Sequence, residues 1–141
     1  MAAKPETTFY ESVHRHLPLP SLLHREKMSN PYRGGTADYW YDGPEADLWI
    51  EWKFIVVPKR DDTVISLVSG KKPTLSALQQ DWLRGRVANG RRVAVVVGSK
   101  TGGVWFGNTS WGLPFTAGEF RSLIKSRAAL ADQIVAITGH R

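Results

Sequence analysis

Hydrophobic positions recur along this chain at two spacings. Phe9, Tyr10, Val13 and Leu17 fall three or four residues apart, and Pro5 suits a first helical turn, so a helix is predicted over Pro5–Leu17, stopped by Pro18 and Pro20. Glu6 lies in the middle of its apolar stripe, whereas Glu11 points away. Leu19–Arg33 shows no period and reads as irregular, with Asn30-Pro31 as a turn. Thr36–Tyr41 and the long run Asp47–Val57 predict two strands folded as a hairpin about Asp42-Gly43-Pro44. Pro58–Thr74 is a polar, basic excursion whose one apolar run, Val64–Val68, reads as a short strand or as part of a loop. Leu75, Leu78, Trp82 and Leu83 mark a second helix over Leu75–Ala88, ended by Asn89-Gly90, with Gln79 near the centre of the stripe and Gln80 outside it. Arg92–Gly98 is a buried-type strand and Val104–Gly107 a shorter one. The Thr116-x-x-Glu119 capping box opens a third helix running to about Leu130. The order α-β-β-(β)-α-β-β-α predicts a mixed α/β fold, a mixed sheet flanked by helices, in one domain spanning 1–141.

Composition narrows the function. With 141 residues, 42% of them hydrophobic, and six Trp, the chain has enough apolar surface for a packed core. It has no cysteine, which excludes disulfides, thiolate metal sites and a cysteine nucleophile. The longest apolar runs are too short to cross a bilayer, and Met1–Glu6 lacks the apolar stretch of a signal peptide, so no membrane association and a cytoplasmic location are expected. The net charge of +6 and a sequence pI near 9.8 suit a polyanionic partner. Arg25, Lys27 and Arg33 before the hairpin, and Lys59, Arg60, Lys71 and Lys72 after it, are the cations placed to grip a nucleic-acid backbone.

The chemistry gathers on the hairpin. Strand alternation turns Glu51 and Lys53 to one face and Leu48, Ile50, Trp52 and Phe54 to the other. Phe54–Val57 stays apolar on both faces, which argues for a central strand on which an acid and a base replace apolar residues. Folding the first hairpin strand back brings Asp38 towards Glu51. Two converging carboxylates call for a counter-ion, and hard oxygen donors suit Mg²⁺, with Mn²⁺ as a substitute. The glycines at 34 and 35 leave room where a nucleic-acid backbone could approach. The histidines at 14, 16, 24 and 140 have no metal-ligand spacing and read as surface residues or phosphate contacts. Neither a nucleophile elbow nor a P-loop is present.

This pattern resembles the PD-(D/E)XK nuclease superfamily. Gly35-Thr36-Ala37-Asp38 stands for its G-x-P-D box, with Ala37 in place of the proline, and Glu51-Trp52-Lys53 for its E-x-K box. More narrowly, Leu75-Ser76-Ala77-Leu78-Gln79 followed by Trp82 is similar to the L-[TS]-x-x-Q-x-x-W helix of VRR-NUC-type and Holliday-junction-resolvase-like endonucleases, although no Val-Arg-Arg triplet follows it. The resemblance runs from Glu6 to about Phe106. It implies a restriction-endonuclease-like core and a Mg²⁺-dependent DNA endonuclease, with selectivity for branched or junction DNA as one form of that activity. The alternative is an inactive nuclease-fold module that only binds DNA.

On this resemblance, Asp38 and Glu51 hold the metal together with a backbone carbonyl of the Ile50–Trp52 region, and Lys53 orients water or stabilises the transition state. Gln79 sits beside the site, unless Ser76-x-x-Gln79 is only a capping box, and Glu6 is an outer metal carboxylate. Because junction resolvases act as symmetric dimers, a homodimer is also an expectation. Trp105, Trp111, Leu113 and Phe115 would then be interface or core.

Overall fold

The computed structural model describes residues 3–28 and 34–139. Helix α1 (Pro5–His14) starts with proline in its first turn and lays Phe9, Tyr10 and Val13 into the interior. Strands β1 (His24–Lys27), β2 (Tyr39–Asp42) and β3 (Asp47–Phe54) form an antiparallel meander. Two-residue β4 (Val64–Ile65) and helix α2 (Ala77–Ala88) precede β5 (Val93–Ser99) and β6 (Gly102–Gly107). A 3-10 turn at Ser110–Gly112 leads to β7 (Phe115–Thr116), α3 (Ala117–Leu123) and α4 (Arg127–Thr138).

The main sheet has five strands in the order β1-β2-β3-β5-β6, antiparallel throughout except for the parallel pair β3·β5. It is the mixed sheet flanked by helices that the element order predicts, and β3 is central. Each of its faces carries its own core. Leu48, Ile50 and Trp52 of β3 pack with Phe9, Val13, Leu130 and Ile134 of α1 and α4. Val93, Val95 and Val97 of β5 pack on the opposite face with Leu75, Leu83, Phe115 and Phe120, beneath α2 and α3. A strand buried on both faces explains the unbroken Val-Ala-Val-Val-Val run of β5.

Several boundaries differ from the sequence reading, each for a physical reason. The segment read as irregular contains β1, whose His-Arg-Glu-Lys sequence gives no alternation because it is a mostly exposed edge strand. Asn30, Pro31 and Arg33 lie outside the described residues. Helix α1 ends at His14, and the chain to Leu17 continues as turns bonded to Val13 and His14 carbonyls. Strand β2 begins at Tyr39, leaving Asp38 just ahead of it, and β3 ends at Phe54. Within Val64–Val68 only Val64–Ile65 is strand, paired with β7 in a separate small sheet.

The third predicted helix is two helices. Lys125 exchanges backbone hydrogen bonds with Gly103 at the sheet edge (3.0 and 2.8 Å), and Ser126 caps a new helix through the Ala129 N–H. Leu78, assigned to the core stripe, is 61% exposed, while Gln80, assigned outside it, turns inward to the carbonyls of Val68 and Leu75. Trp111 and Phe115 are buried, Trp105 packs on the first core and Leu113 is exposed. Among the described residues no helix is long and apolar enough to cross a membrane.

Candidate active site

The β2–β3 hairpin sets the position of the first two acids. Tyr39 pairs with Ile50, so the residue before it comes alongside the next residue of β3, and Asp38 Oδ2 accepts the backbone N–H of Trp52 at 2.9 Å. Glu51 lies on a fully flanked strand and is 1% exposed. Its Oε2 faces Lys53 Nζ at 3.4 Å and accepts a hydrogen bond from Gln79 Nε2 at 3.2 Å. Among the described residues Oε1 is buried with no hydrogen-bond partner. Burial first, and the neighbouring Asp38 carboxylate second, push the Glu51 carboxyl up to about 9, against an opposing pull from Lys53.

Gln79 makes a capping box and a hydrogen bond to Glu51 with one side chain. Ser76 caps α2 by accepting the Gln79 N–H at 3.2 Å, and Gln79 Oε1 returns the bond by accepting the Ser76 N–H at 3.0 Å. With its oxygen tied to Ser76, the amide can present only its NH₂ group to Glu51, so the capping box fixes the donor's orientation. The glycines before Asp38 serve the same docking rather than leaving room for nucleic acid. Gly35 has φ +94°, and a Cβ there would lie 2.4 Å from the Leu78 carbonyl oxygen; one at Gly34 would lie 2.9 Å from Leu78 Cδ1. The first turn of α2 therefore sits directly on the segment that leads into Asp38 and β2.

Glu6 is half-buried and shares a cleft of about 350 Å³ with Asp38, Lys4, Thr7, Tyr10 and Lys27. It does not complete a three-carboxylate cluster with Asp38 and Glu51: among the described residues no three acid or histidine side chains are gathered to hold a metal. Its place in the first turn of α1 also suits the helix dipole. Glu11 is exposed. Of the basic residues, Lys27 lines the cleft and lies 6.0 Å from the Tyr10 ring, and Arg25 is half-buried with Nη1 fully enclosed. Lys59, Lys71 and Lys72 are exposed and Arg60 is paired with Asp62 at 2.9 Å. Arg33 falls outside the described residues.

His14, read as a surface residue, is half-buried behind the hairpin. Its Nε2 is 2.7 Å from the Tyr41 hydroxyl, which also accepts the Trp52 indole N–H at 3.1 Å. Burial and the nearby Arg25 lower the His14 pKa to about 4. Tyr10, Tyr39 and Trp52 complete this aromatic support for the hairpin that positions Asp38 and Glu51. Nothing in the periodicity signalled it, because Tyr39 and Tyr41 count equally well as ordinary strand residues. A larger cavity of about 990 Å³ opens beyond the end of β3, lined by Phe9, Phe54, Arg121 and Arg127 among others, but no carboxylate lines it, so volume does not mark the acid site.

Among the described residues Glu51 Oε1 is a buried carboxyl oxygen without a partner beside the Asp38 carboxylate, and a hard divalent cation held by Glu51 and Asp38 would favour the ionised form that burial alone disfavours. The fold has a solved counterpart. The chain superimposes on Archaeoglobus fulgidus Hjc, a Holliday junction resolvase from an archaeal hyperthermophile, with a TM-score of 0.53 and 12% identity over 98% of both chains. The fold is thus resolvase-like, a restriction-endonuclease-like mixed sheet with flanking helices. No family model and no curated protein matches the sequence.

Proposed function

We propose that the protein is a metal-dependent DNA endonuclease of the PD-(D/E)XK superfamily that hydrolyses phosphodiester bonds in branched or junction DNA. The observation that carries this reading is Glu51, a carboxylate buried on a central strand with one oxygen unpartnered and Asp38 beside it. A buried acid of this kind costs stability unless something binds it, and the two carboxylates provide oxygen donors for Mg²⁺ or Mn²⁺. The resolvase-like fold supports the choice of DNA, as does the net charge of +6. The narrower VRR-NUC affiliation rests on the Leu75–Trp82 motif alone.

Bound at Glu51 and Asp38, the cation would supply positive charge for the phosphate and lower the pKa of an attacking water. Asp38 is held in place by the Trp52 N–H, so its carboxylate is positioned before substrate arrives. Lys53 places its ammonium 3.4 Å from Glu51 Oε2, where it can hold a water or stabilise charge growing on the phosphoryl oxygens. Gln79 fixes the Glu51 rotamer through an amide that is itself fixed by Ser76. Lys27 lies in the cleft at Asp38 and can meet a neighbouring phosphate.

Purified protein incubated with four-way, flapped, single-stranded and duplex DNA should cut in Mg²⁺ or Mn²⁺ and stop with EDTA. Glu51→Gln and Asp38→Asn should abolish cleavage while binding persists. Undiminished cleavage by Glu51→Gln would sink the reading. A sizing measurement on the same sample tests the homodimer expected of a junction enzyme.

A further inference from the structure

Beside the two acids lies an aromatic surface whose inner rings, Trp49 and Trp82, pack partly on the second core, and whose outer ring is Trp40. Gln79, Trp82 and Arg86 recur on one face of α2. Gln79 meets Glu51, and one turn later Trp82 sets its ring edge-on to Trp49 with centroids 5.2 Å apart. The Arg86 guanidinium lies 5.0 Å from the Trp82 ring and 5.8 Å from that of Trp49. On the sheet, Trp49 is two residues from Glu51 and on the same face, and it pairs with Trp40 of β2, their rings 5.9 Å apart at 31°. Trp40 belongs to neither core. Its indole N–H donates to Asp47 Oδ2 at 2.9 Å, so a large ring outside both cores is held in one orientation. All three indoles keep part of their surface exposed.

We infer that Trp40, Trp49, Trp82 and Arg86 form a stacking subsite for unpaired nucleobases flanking the phosphate addressed by Glu51 and Asp38. The location rests on the nuclease reading; the stacking does not. Aromatic and guanidinium faces bind any base through its π surface, but only when that base is free of its pair. The two-residue step from Glu51 to Trp49 is about 6.6 Å, close to two stacked nucleotides at about 3.4 Å each. Arg86 adds the positive charge that a backbone following the rings requires. Glu26 pairs with Trp40 on the other side and repels phosphate, which directs the strand towards α2. The substrate class implied is DNA with unpaired nucleotides next to the cut, as at a junction, flap or splayed end.

Fluorescence anisotropy in EDTA separates binding from cleavage. The preference for a labelled oligothymidylate over a duplex of equal length should fall about tenfold in Trp40→Ala and be largely kept in Trp40→Phe. An unchanged preference in Trp40→Ala, or equal loss in both variants, overturns the proposal. Should Trp40→Ala fail to fold, Arg86→Ala applies the same test, and a loss shared equally by duplex overturns the proposal. A shift from dimer to monomer on sedimentation, accompanying the lost binding, would instead assign the surface to a second copy of the chain and also overturn it. If wild-type protein cuts nothing in Mg²⁺, the nuclease reading fails while the anisotropy ratio still decides the subsite.

Discussion

Glu51 holds its place against its own chemistry. Burial and Asp38 raise its pKa to about 9, so the folded state binds a proton that the unfolded chain releases near the ordinary carboxylate value. Between those two values folding takes up a proton, and stability falls as pH rises. In EDTA the unfolding free energy should therefore decline from about pH 5 to about pH 9, by at most about 1.4 kcal/mol per pH unit, and the melting temperature should fall with it. Glu51→Gln should flatten that slope and be more stable than wild type at pH 8 by about 1–4 kcal/mol, seen as a higher melting temperature, while losing cleavage. A mutant that melts lower at pH 8 would contradict the burial argument. His14 acts with the opposite sign: its folded pKa is depressed to about 4, so its contribution is present above its ordinary value near 6.5 and is lost as pH falls between the two. His14→Phe should remove part of the acid-side destabilisation seen in melts between about pH 6.5 and pH 4.

Helix α2 does two jobs at its first turn, and both pass through Gly35. A methyl group there would meet the Leu78 carbonyl in a backbone region that L-residues avoid. Gly35→Ala should cost about 1–3 kcal/mol and move Gln79 off Glu51, measurable as a lower melting temperature together with weaker cleavage. Much at this scale was legible beforehand. The hairpin, α2 and β5 stand in the sequence because their periods are long and their ends carry turn or cap residues. Strand β1 was hidden because an edge strand of His-Arg-Glu-Lys buries too little to leave a pattern. The break between α3 and α4 was hidden because it depends on Lys125 finding Gly103, a contact between distant segments. Gln79 was readable as cap or as site residue, and only the three-dimensional placement of Glu51 shows that one amide both caps α2 and bonds Glu51.

At the scale of the molecule, Asp38, Glu51 and Lys53 could be grouped from sequence because one hairpin carries them. Glu6 could not be settled, since helix phase gives direction but not distance. The aromatic support behind the hairpin and the tryptophan surface beside α2 also escaped, because each is assembled from segments that no local period connects. The positive charge should make DNA binding fall steeply with added salt, with log K linear in log salt; a salt-independent affinity in a filter-binding titration would argue against backbone contacts. The sheet's single parallel pairing adds a consequence in time. Glu51 is enclosed only when Val95 arrives beside it, after the chain has run out through α2 and back. Non-local closure of this kind comes late in folding. A chain still being synthesised, with its acids already made but β5 not yet in place, would carry Asp38 and Glu51 without the strand that encloses Glu51.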